Sequence, residues 1–140
     1  MQIREATTDS ELELVFPVLR ELRSTPSFAE LMDLTKKAKE RDDFCLVGAF
    51  SDGKCHGAMG YRILYDYTHG KHLYVDDLVV TENMRSKGIG KLLLDYAEKE
   101  AKRLECRGLK LCTGIDNKGS QKFYERSGWE AKSFAFKKIL

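Results

Sequence analysis

Leu73-Tyr74-Val75-Asp76-Asp77-Leu78-Val79-Val80, the polar connection Thr81 to Met84, and Arg85-Ser86-Lys87-Gly88-Ile89-Gly90 are the stretch that decides the fold of this chain. The first segment is rich in β-branched and aromatic residues and reads as a strand. After the glycines, Ile89, Leu92, Leu93, Tyr96, Ala97, Ala101 and Leu104 recur at three and four residues, so Gly88 to Glu105 reads as a long amphipathic helix. A strand, a Gly-x-Gly turn and a helix N-terminus in succession make an anion site. Glycine lets the backbone approach a ligand, the first helical N–H groups have no partner within the helix, and the dipole adds positive potential. Arg85 and Lys87 add two charges, so the ligand implied carries a pyrophosphate.

Working outward, Phe44 to Phe50 reads as a strand and Ser51-Asp52-Gly53-Lys54 as a tight hairpin turn. His56 to Tyr65 returns as its partner, Tyr67-Thr68-His69-Gly70 turns the chain again, and Lys71 to Val80 follows. Upstream, Gln2 to Ala6 reads as a first strand. Thr8-Asp9-Ser10 caps a helix carrying Leu12, Val15, Phe16, Leu19 and Leu22, with Pro17 marking a kink or restart. Ser27 caps a second helix with Phe28, Leu31, Met32 and Leu34 on its apolar side. Downstream lie a strand (Gly108 to Thr113), a short helix (Asn117 to Ser127) and a final strand region from Trp129 to Leu140. The tight turns demand antiparallel neighbours, and the strand-helix-strand unit around the long helix demands a parallel one. The expected class is α+β: a mixed, mostly antiparallel sheet of six to seven strands, with about four helices covering both faces.

The 140 residues suggest one domain over 1–140, long enough to bury about two-thirds of the extended chain's surface. A formal charge of +2, with both signs interspersed, gives no reason to expect nucleic acid or an anionic membrane as partner. No apolar run approaches the roughly 18 residues of a membrane span, and Met1 to Glu5 does not resemble a signal peptide. A cytoplasmic protein is expected. Cys45, Cys55, Cys106 and Cys112 form no Cys-x-x-Cys pair and read as free thiols.

These blocks together resemble the GNAT superfamily of acyl-CoA-dependent N-acyltransferases. Arg85-Ser86-Lys87-Gly88-Ile89-Gly90 matches the signature Arg/Gln-x-x-Gly-x-Gly/Ala, after a strand ending Leu78-Val79-Val80. Asn117 and then Phe123-Tyr124-Glu125-Arg126-Ser127-Gly128-Trp129 match the family's Asn…Phe-Tyr-x-x-x-Gly-Phe. The hexapeptide alone is short, and the three blocks in order are specific. The resemblance implies the GNAT fold and acetyl-CoA as co-substrate. The amides of Arg85, Ser86, Lys87, Gly88, Ile89 and Gly90 would hold the pyrophosphate, and the backbone of Leu78, Val79 and Val80 would pair with the pantetheine arm. Asn117 would contact that arm or support the next helix, and Tyr124 would protonate the departing thiolate.

An N–H near Leu78 or Val79 is the expected oxyanion donor. An amine of ordinary pKa is neutral in about one molecule in 2,500 at pH 7, so a base or water relay is useful. Asp76 and Asp77 are the candidates. Strand alternation sends them to opposite faces, so at most one serves directly. The acceptor expected is a primary amine of a small molecule or peptide, attacked directly within a ternary complex. Transfer of a longer acyl chain and a non-catalytic acyl-CoA-binding regulatory module are the alternatives, and a homodimer is compatible with the family. A P-loop is rejected, because Leu92 follows Gly90-Lys91 where that motif needs Ser or Thr. His69 and His72 lack helical spacing and read as exposed histidines, so no metal is expected.

Overall fold

The computed structural model describes residues 1–140. They form two compact units, residues 1–110 and residues 111–140. The first holds β1 (Gln2–Glu5), α1 (Asp9–Leu22), α2 (Phe28–Asp42), β2 (Cys45–Ser51), β3 (Lys54–Asp66), β4 (Gly70–Val80), a short 3-10 turn at Glu82–Met84, and α3 (Ile89–Arg103). β5 (Gly108–Leu111) crosses the division, and α4 (Lys118–Arg126) lies in the second unit.

Local chemistry accounts for the element ends. Thr8 accepts from the Glu11 N–H while Glu11 reaches back to the Thr8 N–H, a reciprocal cap at the start of α1. The helix runs unbroken from Asp9 to Leu22 with Pro17 inside it. Ser27 caps α2 by accepting from the Glu30 N–H at 3.2 Å. The β2–β3 turn has Asp52 at φ 51° and Gly53 at φ 72°, the doubly left-handed geometry that suits a two-residue hairpin.

The sheet order is β1-β2-β3-β4-β5, and β1 to β4 are antiparallel neighbours. The crossover through α3 makes the sheet mixed. Helices cover both faces of the sheet within residues 1–110. On one face Leu12, Val15, Phe16 and Leu19 of α1 pack with Leu46, Phe50, Ala58 and Val79. On the other, α3 lies so close that a Cβ on Gly57 would stand 2.9 Å from Ile89 and 3.2 Å from Leu93. Gly57 is glycine because the helix needs that space.

The sheet has five strands instead of six to seven, because residues 129–140 adopt no strand and 131–140 are exposed throughout. Phe134 and Phe136, within the expected final strand region, are almost fully exposed. Alternating aromatics over so short a run did not find a strand edge to join. In α3 the buried residues are Ile89, Leu93, Leu94, Ala97 and Ala101, a stripe four residues apart that leaves Leu92 exposed. His72 is buried at 2% exposure, against the expectation of an exposed side chain. It belongs to β4, whose two faces are both covered at that level, and Gly70 (φ 60°) folds the turn so that His69 comes back beside it.

Candidate active site

The signature loop is open. Arg85 is extended, Ser86 has φ 63° and Gly88 has φ 84°, so the two left-handed residues alternate along the turn. Gly88 stands at the N-cap of α3 with no side-chain cap, and the first intrahelical bond is from the Leu92 N–H to the Gly88 carbonyl at 3.1 Å. The N–H groups of Ile89, Gly90 and Lys91 therefore precede the helix's own bonding. Residues 85–88 are all exposed, and a Cβ on Gly88 would meet nothing within 4 Å. A bare helix terminus reached through a left-handed turn fits a diphosphate, since it offers several N–H groups to one anion. Arg85 Nε donates to the Val80 carbonyl at 3.1 Å and ties the loop to the end of β4. Lys87 Nζ has a weak contact with Met84 Sδ at 3.9 Å. The left-handed Ser86 was not anticipated. Gly90, expected to shape the turn, lies inside α3.

The end of β4 fits a ligand that adds to a sheet. β4 has eleven residues and β5 only four. The Arg107 N–H donates to the Lys71 carbonyl at 2.8 Å, so β5 starts level with the beginning of β4. The outer edge toward Leu78, Val79 and Val80 is therefore left without a strand partner, as pantetheine pairing requires.

Asp76 and Asp77 depart from the expected alternation. In the β3–β4 register Gly60 opposes Asp77 and Tyr61 opposes Val75, so Asp76 is an extra residue in a bulge. Both carboxylates consequently line one cavity on the α1 side of the sheet, and the opposite-face expectation is corrected. A Cβ on Gly60 would strike the Phe44 ring at 2.6 Å, so glycine is needed opposite the bulge. A glycine inside a strand is itself the sequence signal for a bulge.

That cavity has a volume of about 650 Å³ and lies between α1, α2 and the sheet. Leu19, Leu22, Leu31, Leu34 and Phe44 give it apolar walls, while Asp42, Asp76 and Asp77 face Arg23 and Arg62. Arg62 holds Asp76 through both carboxylate oxygens, with Nε 2.9 Å from Oδ2 and a terminal nitrogen 2.8 Å from Oδ1. Arg23 Nε donates to Asp77 Oδ1 at 2.9 Å. Sequence reasoning missed Arg23, Arg62 and Asp42, since their distance along the chain from the aspartates gave no cue. Three carboxylates against two guanidiniums leave the cavity suited to one more positive charge.

In the second unit Asn117 caps α4, its Oδ1 accepting from the Ser120 N–H at 3.1 Å. That cap supports the helix that follows. Tyr124 is half-buried, with its ring edge-on to Phe123 at 5.3 Å and to Trp129 at 6.1 Å. Burial pushes its phenol above the ordinary tyrosine range, so the hydroxyl keeps its proton through neutral pH.

Residues 8–129 match the acetyltransferase (GNAT) family. The chain is 26% identical to the uncharacterized N-acetyltransferase YhdJ of Bacillus subtilis over 99% of its own length and 98% of the relative's. It is 30% identical to an aminoalkylphosphonate N-acetyltransferase of Salmonella typhimurium, over 66% of this chain and 60% of that one. In fold it is similar to a transcriptional regulator from Bacillus halodurans (TM-score 0.88, 21% identity, 99% of both chains). It is also similar to the aminoglycoside N-acetyltransferase AAC(6')-Iy in complex with CoA (TM-score 0.87, 20% identity, 99% of this chain and 93% of that one). This chain belongs to the acetyltransferase (GNAT) family, and is an acetyl-CoA-dependent acyltransferase.

Proposed function

We propose that the protein transfers the acetyl group of acetyl-CoA to a primary amine on a small cationic molecule, by direct attack with both substrates bound. The observation that carries this reading is the bulge that turns Asp76 and Asp77 together into an apolar-walled cavity of about 650 Å³. That volume is in the usual range for a small-molecule site. An aminoalkylphosphonate acetyltransferase among the relatives and an aminoglycoside acetyltransferase among the structural neighbours act on small amines, which favours such an acceptor over a protein surface.

Acetyl-CoA supplies an acetyl group activated as a thioester. The amides of Arg85 to Gly90 bind its diphosphate, and the free edge of β4 at Leu78, Val79 and Val80 pairs with the pantetheine amides. An N–H near Leu78 or Val79 donates to the oxygen that gains charge during attack. Asp76, with both oxygens on Arg62, holds the cationic acceptor. Asp77 meets Arg23 through Oδ1 and is the better placed to take the ammonium proton, directly or through water. Tyr124 then donates its proton to the departing thiolate.

Asp77→Asn is expected to lower kcat/KM at least tenfold at pH 7. The deficit should narrow as pH rises toward the amine's own pKa, because the neutral nucleophile then forms without help. A loss that stays constant with pH would reduce Asp77 to a binding group. The regulatory-module alternative is separated by measuring thiol release from acetyl-CoA against a panel of small amines. Turnover is expected for amines carrying a second positive charge and weak for monoamines of similar size that lack one. CoA binding without turnover on any amine would favour the module.

A further inference from the structure

We propose that Asp66, His69 and His72, at the turn between β3 and β4, form a binding site for one divalent transition-metal ion that favours nitrogen ligands, such as Zn²⁺, with Co²⁺ and Ni²⁺ as its analogues. Each residue offers a ligand atom, and the three atoms lie within 4.8 Å of one another. His69 Nδ1 is 3.1 Å from Asp66 Oδ2, and His72 Nε2 is 3.9 Å from the same oxygen. Ligand atoms of a tetrahedral zinc site, with bonds of about 2.1 Å, stand roughly 3.4 Å apart. The Asp66–His69 pair already has close to that spacing, and the His72 side must move inward to reach it.

The tautomer of the buried histidine favours this use. His72 Nδ1 lies 3.1 Å from the Gly70 carbonyl, which can only accept, so Nδ1 carries the proton and donates it. Its Nε2 then presents a lone pair toward Asp66. A ligating imidazole is commonly oriented by such a bond to a carbonyl from its other ring nitrogen. Asp66 is fixed as well, since its Oδ1 accepts from the His69 backbone N–H at 2.6 Å. The spacing Asp66-x-x-His69-x-x-His72 works because the chain reverses between the first residue and the last: Asp66 ends β3 and pairs with Gly70, while His72 already lies in β4 opposite Leu64. Two imidazoles and one carboxylate favour zinc-like ions over Mg²⁺ or Ca²⁺ and leave a coordination position for water. Bound metal would cross-link the two strands of the hairpin.

The test uses the full chain without a histidine tag, stripped with a chelator and dialysed, then titrated with Co²⁺ while visible absorption is followed, and with Zn²⁺ by calorimetry. One equivalent of each is expected, with ligand-field bands for Co²⁺ and no response to Mg²⁺. His69→Ala and Asp66→Asn change exposed side chains, so both variants should fold, and each is expected to weaken binding at least tenfold. Zn²⁺ should also raise the melting temperature of the wild type and leave that of His69→Ala unmoved. Substoichiometric binding would overturn the proposal. So would affinity unchanged by both substitutions, or thiolate charge-transfer bands placing Co²⁺ on the cysteines; the trio would then be an ion pair bracing the turn.

Discussion

Replacing Gly90 with Asp is expected to weaken CoA binding at least a hundredfold while leaving the protein folded. Gly90 occupies the first turn of α3, where an acidic side chain is favourable for the helix itself, by about 0.3–1 kcal/mol. The same carboxylate would stand among the N–H groups of Ile89, Gly90 and Lys91 and compete with the diphosphate for them. Two like charges about 4 Å apart near a protein surface repel by roughly 4 kcal/mol, and a hundredfold loss needs only about 2.7 kcal/mol. Stability and affinity thus move in opposite directions, which separates this effect from unfolding. Calorimetry with CoA and a thermal melt by circular dichroism check the two halves. Wild-type affinity in the variant would remove the loop from the binding site.

Tyr124→Phe is expected to lower kcat about a hundredfold and to leave the CoA dissociation constant within about twofold, as for the loss of one general acid. Phenylalanine preserves the edge-on packing against Phe123 and Trp129, so the local structure should survive. Burial raises the Tyr124 phenol above its ordinary value near 10, so the wild-type group is protonated across the neutral range and beyond. The rate deficit should therefore be the same at pH 7 and pH 9, in contrast to the pH-dependent deficit expected for Asp77→Asn. Single-turnover and steady-state rates at both pH values decide this. An unchanged kcat would take the tyrosine hydroxyl out of the reaction.

Features governed by short-range chemistry were legible in the sequence. The Thr8 and Ser27 caps, the Asp52-Gly53 turn and the strand-loop-helix at Val80 to Ile89 each follow from residues within a few positions of one another. So did the position of Asn117 at the start of α4. What escaped depends on partners distant in the chain. The bulge at Asp76 arises from the pairing of β4 with Gly60, and simple alternation placed the two aspartates wrongly. Arg23 reaches Asp77 across 54 positions and Arg62 reaches Asp76 across 14, so neither ion pair leaves a local trace. The run from Trp129 to Leu140 has strand-like residues, but a strand exists only where another edge accepts it. His69 and His72 were judged by helical spacing, whereas a reversal at Gly70 brings their rings to 5.0 Å.

The central claim is that main-chain amides at residues 85–90 grip a diphosphate, and a paired titration tests it most directly. Wild type and Gly90→Asp would each be titrated with CoA and with pantetheine, which lacks the diphosphate and the nucleotide. The wild type is expected to prefer CoA by at least a hundredfold, and the variant to lose most of that preference, because the substitution and the missing group remove the same interaction. A preference for CoA that survives intact in Gly90→Asp would contradict the account.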